Sequence, residues 1–182
     1  MRHCVAYLAI ALTFGGSAAF GQRVKLLNQP LTIDTPAGFV DRSWEHVSQG
    51  FPLHFNLPAH ADGSRSLYPE ISIASSPEMN GTDVPMALSE YAKTQTVEGR
   101  TIIRPRFVQI AGQQAIEFAF SGDLILDYRG GSIVRPVVLH EIAIAYQSRL
   151  YHCRLGVELG RHISYIKVLH EFCGSARFGE VP

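Results

Sequence analysis

The sequence predicts an α+β fold, an antiparallel β-sheet flanked by helices. Short runs alternate apolar and polar residues between glycine- and proline-rich turns, the period of half-buried strands. Two longer segments repeat apolar residues every three to four positions, the period of helices. In the second half, consecutive strands are joined by tight turns, which makes them antiparallel neighbours, and a helical segment lies on either side of them.

Residues 1–21 read as a cleavable secretory signal peptide. Arg2 and His3 form a basic start, residues 5–14 an apolar run, and residues 15–19 a small-residue stretch leading to Phe20-Gly21-Gln22. Cutting after Gly21 leaves Ala19 and Gly21 at the small-residue positions the peptidase needs, and a cut after Ala19 is the alternative. A bilayer span needs about 20 consecutive apolar residues, more than this run offers. Cys4 precedes the apolar run, so it cannot serve as a lipid acceptor. The expected product is one exported domain, residues 22–182, in the periplasm or outside the cell, with no membrane insertion.

In the mature chain Leu31-Thr32-Ile33 alternates and stops at Thr35-Pro36-Ala37-Gly38, a strand and a turn. Residues 53–57 form a short strand, and residues 58–66, small and polar, a surface loop. Ile71 and Ile73 alternate with serines in another strand. A helix follows: Asp83 caps it, Pro85 suits its first turn, and Val84, Leu88 and Tyr91 recur on one face. Residues 106–110 and 114–120 make a hairpin across Ala111-Gly112, with Ile116, Phe118 and Phe120 on one face. Residues 122–131 either extend this strand past a bulge at Gly122 or form an exposed loop. A second hairpin joins residues 137–146 to 151–159. The last element, residues 162–173, is a helix with Ile163, Ile166, Leu169 and Cys173 on its inner face, Phe172 beside them, and Ser164, Lys167 and Glu171 outward. Gly174 stops it.

Charge excludes some partners. The chain carries 16 basic and 16 acidic residues, and losing residues 1–21 removes Arg2 alone, leaving a net charge of −1. A nucleic-acid partner would demand a basic face, so none is expected. After export Cys153 and Cys173 are the remaining cysteines. In an oxidising compartment an even pair predicts a disulfide, pinning the last helix to the sheet.

Several short motifs resemble the PsbP-like fold family, which includes photosystem extrinsic proteins, a Ran-binding nuclear import factor and exported bacterial proteins of the DcrB type. They are Ile33-Asp34-Thr35-Pro36-Ala37-Gly38-Phe39, Leu88-Ser89-Glu90-Tyr91-Ala92-Lys93, Ile110-Ala111-Gly112-Gln113-Gln114-Ala115, Tyr151-His152-Cys153 and Phe172-Cys173-Gly174-Ser175-Ala176-Arg177-Phe178. The resemblance spans nearly the whole mature chain and implies an α/β/α sandwich that binds or adapts rather than catalyses. Residues 44–66 and 122–131 depart from the family pattern.

Catalytic motifs are weak. His140-Glu141 suggests a zincin, but position 144, where a second histidine belongs, is Ile144, so His140 reads as a packed or edge histidine. His46, His54 and His60 could meet at a surface zinc ion, although scattered loop histidines are usually solvated. Gly131-Ser132 lacks the setting of a nucleophile elbow, and Gly130-Gly131 reads as a turn. Asp123 and Asp127 suit edge charges better than an acid/base pair. Asn80-Gly81-Thr82 is a glycosylation sequon only on a eukaryotic route. The expectation is a non-enzymatic protein without a cofactor or metal. It binds another protein, as an adaptor or as an immunity-type protein against a periplasm-delivered toxin; an uncharacterised hydrolase ranks below both. The expected contact is Leu124-Ile125-Leu126 between Asp123 and Asp127, an apolar cluster with a polar rim.

Overall fold

The computed structural model describes residues 21–26, 29–43, 53–57, 69–76, 83–96, 100–128 and 131–179, and for residues 125–128 and 133 the backbone alone. Residues 1–20 of the expected signal, Trp44, His46, His60, the sequon at Asn80 and Gly130 lie outside these residues. Among the described residues no helix is long and apolar enough to cross a membrane.

The elements run β1 (Arg23–Lys25), β2 (Leu31–Asp34), β3 (Val40–Asp41), β4 (Leu53–Asn56), β5 (Glu70–Ser75), α1 (Val84–Gln95), β6 (Thr101–Ile110), β7 (Gln113–Tyr128), β8 (Gly131–Tyr146), β9 (Arg149–Glu158), a 3₁₀ turn (Leu159–Arg161), α2 (His162–Gly174) and β10 (Arg177–Phe178). They build two antiparallel sheets: a seven-stranded one in the order β3-β4-β5-β9-β8-β7-β6, and a three-stranded one in the order β1-β2-β10. The expected α+β class with helices flanking an antiparallel sheet is what the chain adopts.

Local chemistry explains the elements that were foreseen. The Asp83 side chain accepts a hydrogen bond from the Met86 N–H, and Pro85 stands in the first turn of α1. The β6–β7 turn is two residues long. Ala111 and Gly112 both take positive φ, 51° and 76°, as the twist of a two-residue hairpin requires, and glycine bears this without strain.

The large sheet is covered on both faces. Ile116, Phe118, Ala143, Ala145 and Leu150 pack with Leu88 and Ala92 of α1. On the other face Ala115, Ala119, Val138, Ile142, Ile144, Tyr151, Cys153 and Leu155 pack with Leu169, Phe172 and Cys173 of α2 and with Leu31 and Ile33 of the small sheet. Layers of helix, sheet and helix result, with the small sheet on the α2 side.

Three expectations need correction. Ile163 is 86% exposed, and His162 takes its place on the inner face of α2 with Leu169, Phe172 and Cys173. The helix is rotated because His162 is drawn to a buried partner on β8. No bulge occurs at Gly122: the β7–β8 ladder is continuous from Ala115↔Ile144 to Tyr128↔Gly131, and the irregularity lies in β6, between Thr101 and Arg106. Finally, Cys153 and Cys173 are not bonded. Both are free thiols, buried where α2 crosses β9 and packed as small apolar side chains. Burial pushes the Cys173 thiol up, and its hydrogen bond with Cys153 adds to this.

Candidate functional site

Two polar clusters stand back to back in the middle of the large sheet. Successive strand residues face opposite sides, so Glu117 of β7 faces α2 while Glu141 of β8, the cross-strand partner of Phe118, faces α1. Both carboxylates are buried. A buried charge is costly unless paired and hydrogen-bonded, and each has gathered its own partners.

On the α2 face, Ala115 and Ala119 flank Glu117 and leave room above it. Three histidines fill that room. His140 comes from β8, His162 from the first turn of α2, and His170 from two turns further on. His140 Nε2 lies 2.9 Å from Glu117 Oε1, and His170 Nε2 lies 2.8 Å from the same oxygen. Arg106, directly opposite on β6, donates to the other oxygen, Oε2, from Nε at 2.9 Å and Nη2 at 2.7 Å. His140 Nδ1 meets His162 Nε2 at 3.0 Å. Since a carboxylate only accepts, His140 donates from Nε2 to Glu117 and, when neutral, accepts from His162 through Nδ1. Burial alone would raise the Glu117 pKa, but hydrogen bonds from His140, Arg106 and His170 bring it down to about 2. Burial, with His140 alongside, lowers the His162 pKa. Glu117, His140 and His170 each offer one ligand atom within 4.8 Å of the others, the one group of metal-ligating type found among the described residues.

On the α1 face, Glu141 Oε1 accepts from the Tyr91 hydroxyl and from His152 Nδ1 at 3.1 Å, while Oε2 accepts from Arg154 at 2.8 and 2.9 Å. Burial tends to raise the Glu141 pKa, and His152 and Arg154 hold it below its ordinary value. Tyr91 is pushed up by burial and by the Glu141 charge.

The segment expected to bind a partner lies elsewhere. It is strand, not loop, and the pairs Asp123↔Pro136, Leu124↔Arg135, Ile125↔Val134, Leu126↔Ile133 and Asp127↔Ser132 continue the β7–β8 ladder. Its flanks end early. The last β6 contact is between Arg100 and Ser121, and the last β9 pair is Val137↔Glu158. Among the described residues, no strand flanks 122–128 or 131–136, so a two-stranded arm projects from the sheet. Asp123 is exposed and 3.4 Å from Arg100, Leu124 is half-buried, and Val134 is 58% exposed. A shallow groove of about 530 Å³ by Pro85, Phe107, Val108, Gln109 and Gln114 holds no titratable group among these residues.

Of the histidines singled out in the sequence, His140 is packed, at the centre of the α2-face cluster, and His54 is buried with Nε2 3.5 Å from Glu70. Glu117, His162 and His170 were missed. Their signal was faint: a glutamate between alanines on a strand whose other face is aromatic, and two histidines eight apart on a helix.

No family model matches the chain, and no curated protein sequence does. Solved structures match in shape. Cyanobacterial PsbP (CyanoP) from Synechocystis sp. PCC 6803 is 13% identical with a TM-score of 0.56, over 91% of this chain and 96% of that one. The Ran-binding protein Mog1p of Saccharomyces cerevisiae is 13% identical with a TM-score of 0.53, over 86% and 94%. A Bacteroides thetaiotaomicron protein is 11% identical with a TM-score of 0.52, and the match spans 88% of this chain but 49% of that larger one. The chain therefore has a PsbP-like fold.

Proposed function

We propose that this is an exported, non-catalytic binding domain that holds another protein through the β7–β8 arm, at Asp123, Leu124, Ile125, Leu126 and Asp127. The arm carries the proposal. A two-stranded ribbon alone is marginal in water, and an outer edge that no described strand flanks is a place where a partner strand can add to the ladder. Val134, exposed on the same ribbon, adds apolar surface. The PsbP-like fold supports this reading, since one solved example, Mog1p, is a Ran-binding protein. Export rests on residues 1–21, and the DcrB-type proteins are the branch of the fold it favours.

Capture from a periplasmic extract tests the proposal. Leu124→Ser is expected to lose the partner without changing the melting temperature. Undiminished capture by a well-folded variant would exclude the arm. A captured periplasm-delivered toxin would make the protein immunity-type rather than an adaptor.

A further inference from the structure

We propose that Glu117, His140 and His170 form a binding site for a divalent transition-metal ion of the zinc type. Two imidazoles and one carboxylate are a donor set that zinc and its first-row neighbours accept, with a further position left for water. The donors converge on one point. Both imidazoles turn Nε2 toward the same oxygen, Glu117 Oε1, and the three ligand atoms lie within 4.8 Å of one another. Ligands about 2.0–2.1 Å from a tetrahedral ion stand about 3.3 Å apart. The present N···O spacings of 2.8 and 2.9 Å thus need to open by about 0.5 Å, and the two imidazole nitrogens, within 4.8 Å of each other, to settle near the same separation.

The outer contacts are those of a metal site. A ligating histidine usually engages a partner through its other nitrogen, which fixes the tautomer. His162 stands 3.0 Å from His140 Nδ1 and can accept its proton once Nε2 binds the ion. Arg106 takes Glu117 Oε2 and leaves Oε1 facing the imidazoles. The His170 side chain is 37% exposed, so an ion can enter from solvent along α2.

Stability does not explain the cluster. Its surroundings, Ala115, Ala119, Val138, Leu169 and Phe172, are apolar. Replacing buried ionic networks with apolar residues of similar volume is often neutral or stabilising. Stability alone therefore does not account for two histidines on one carboxylate with a third behind them, and a bound ion would.

The test uses the whole mature protein after chelator treatment, titrated with Zn²⁺ by calorimetry and with Co²⁺ by visible absorption. One ion per chain is expected, with d–d bands from Co²⁺ bound to nitrogen and oxygen. His170→Ala, at a partly exposed position, should weaken binding at least about 100-fold and His162→Ala about 10–100-fold. His152→Ala, on the opposite face, should bind as wild type. Imidazole ¹⁵N resonances of His140 and His170 should shift on adding Zn²⁺ to the wild type, a reading that needs no variant. No stoichiometric binding, undiminished affinity in a folded His170→Ala, or shifts confined to other histidines would overturn the site. Leu124→Ser should bind zinc as wild type, so failure of the arm as a partner surface and failure of the metal site would be told apart.

Discussion

Arg154→Met probes the α1-face cluster, because it removes the cation beside Glu141 while keeping an unbranched stem to pack. The titratable groups facing Glu141 are Tyr91 from α1 and His152 and Arg154 from β9. Removing one member of a buried pair costs about 3–5 kcal/mol. Arg154 is 25% exposed, and Tyr91 and His152 remain as donors, which places the loss lower, at about 2–3 kcal/mol at pH 7. For a domain of this size that is about 5–10 °C in Tm. The loss also depends on pH. In the wild type the folded Glu141 pKa is depressed, so its stabilisation is complete above the unfolded value of about 4.3 and is lost as pH falls through the folded one. In the variant burial dominates, the folded pKa rises above about 4.3, and the buried charge destabilises only above that pH. The gap between the two proteins should therefore narrow from pH 7 to pH 4. Adding Glu141→Gln to the variant should recover most of the loss, because the amide keeps its place without a charge. Urea unfolding followed by far-UV circular dichroism measures all three proteins. A loss under about 0.5 kcal/mol at pH 7, the spread of ordinary surface substitutions, or an equal loss at both pH values, would refute this account of the cluster.

Phe172→Ala should cost about 3–5 kcal/mol in guanidinium unfolding, since Phe172 is buried with its ring 5.7 Å from that of Phe55. Ile163→Ser, by contrast, should change stability by less than about 0.5 kcal/mol. Asp83→Ala removes the cap of α1 and should cost about 1 kcal/mol, read from the same curves.

The elements that could be read from the chain are those whose reasons are local. Asp83 and Pro85 start α1, and the alternation of Ile116, Phe118 and Phe120 marks β7 without reference to the rest of the fold. The start of β6 is harder to see because residues 101–105 do not alternate and end in a proline, which an edge strand tolerates. Glu117 was invisible for a related reason. Opposite an aromatic face, a glutamate reads as solvent-facing, and only α2, folded back from 45 residues later, turns that side into interior. Ile163 misled in the reverse direction, since hydrophobicity placed it inward while the pairing of His162 with His140 set the rotation of the helix. Residues 122–131 were ambiguous because glycines border both loops and strand ends, and only the ladder decides between them.

The back-to-back placement of Glu117 and Glu141 also bears on how the sheet finds its alignment. In β8, Val138, Ile142 and Ile144 face one side and Ala143 and Ala145 the other, and both sides are buried. Hydrophobicity therefore cannot tell the native pairing of β8 from one displaced by a single residue. A displacement would turn every side chain to the opposite face. Glu141 would then share a water-excluded layer with Glu117, and His140 would face Arg154 with no carboxylate between them. Two like charges in one apolar layer, and two cationic-type groups in the other, make the slipped alignment costly. The adjacent His140 and Glu141 thus act as a key that admits β8 in one alignment only, whatever else the two clusters bind.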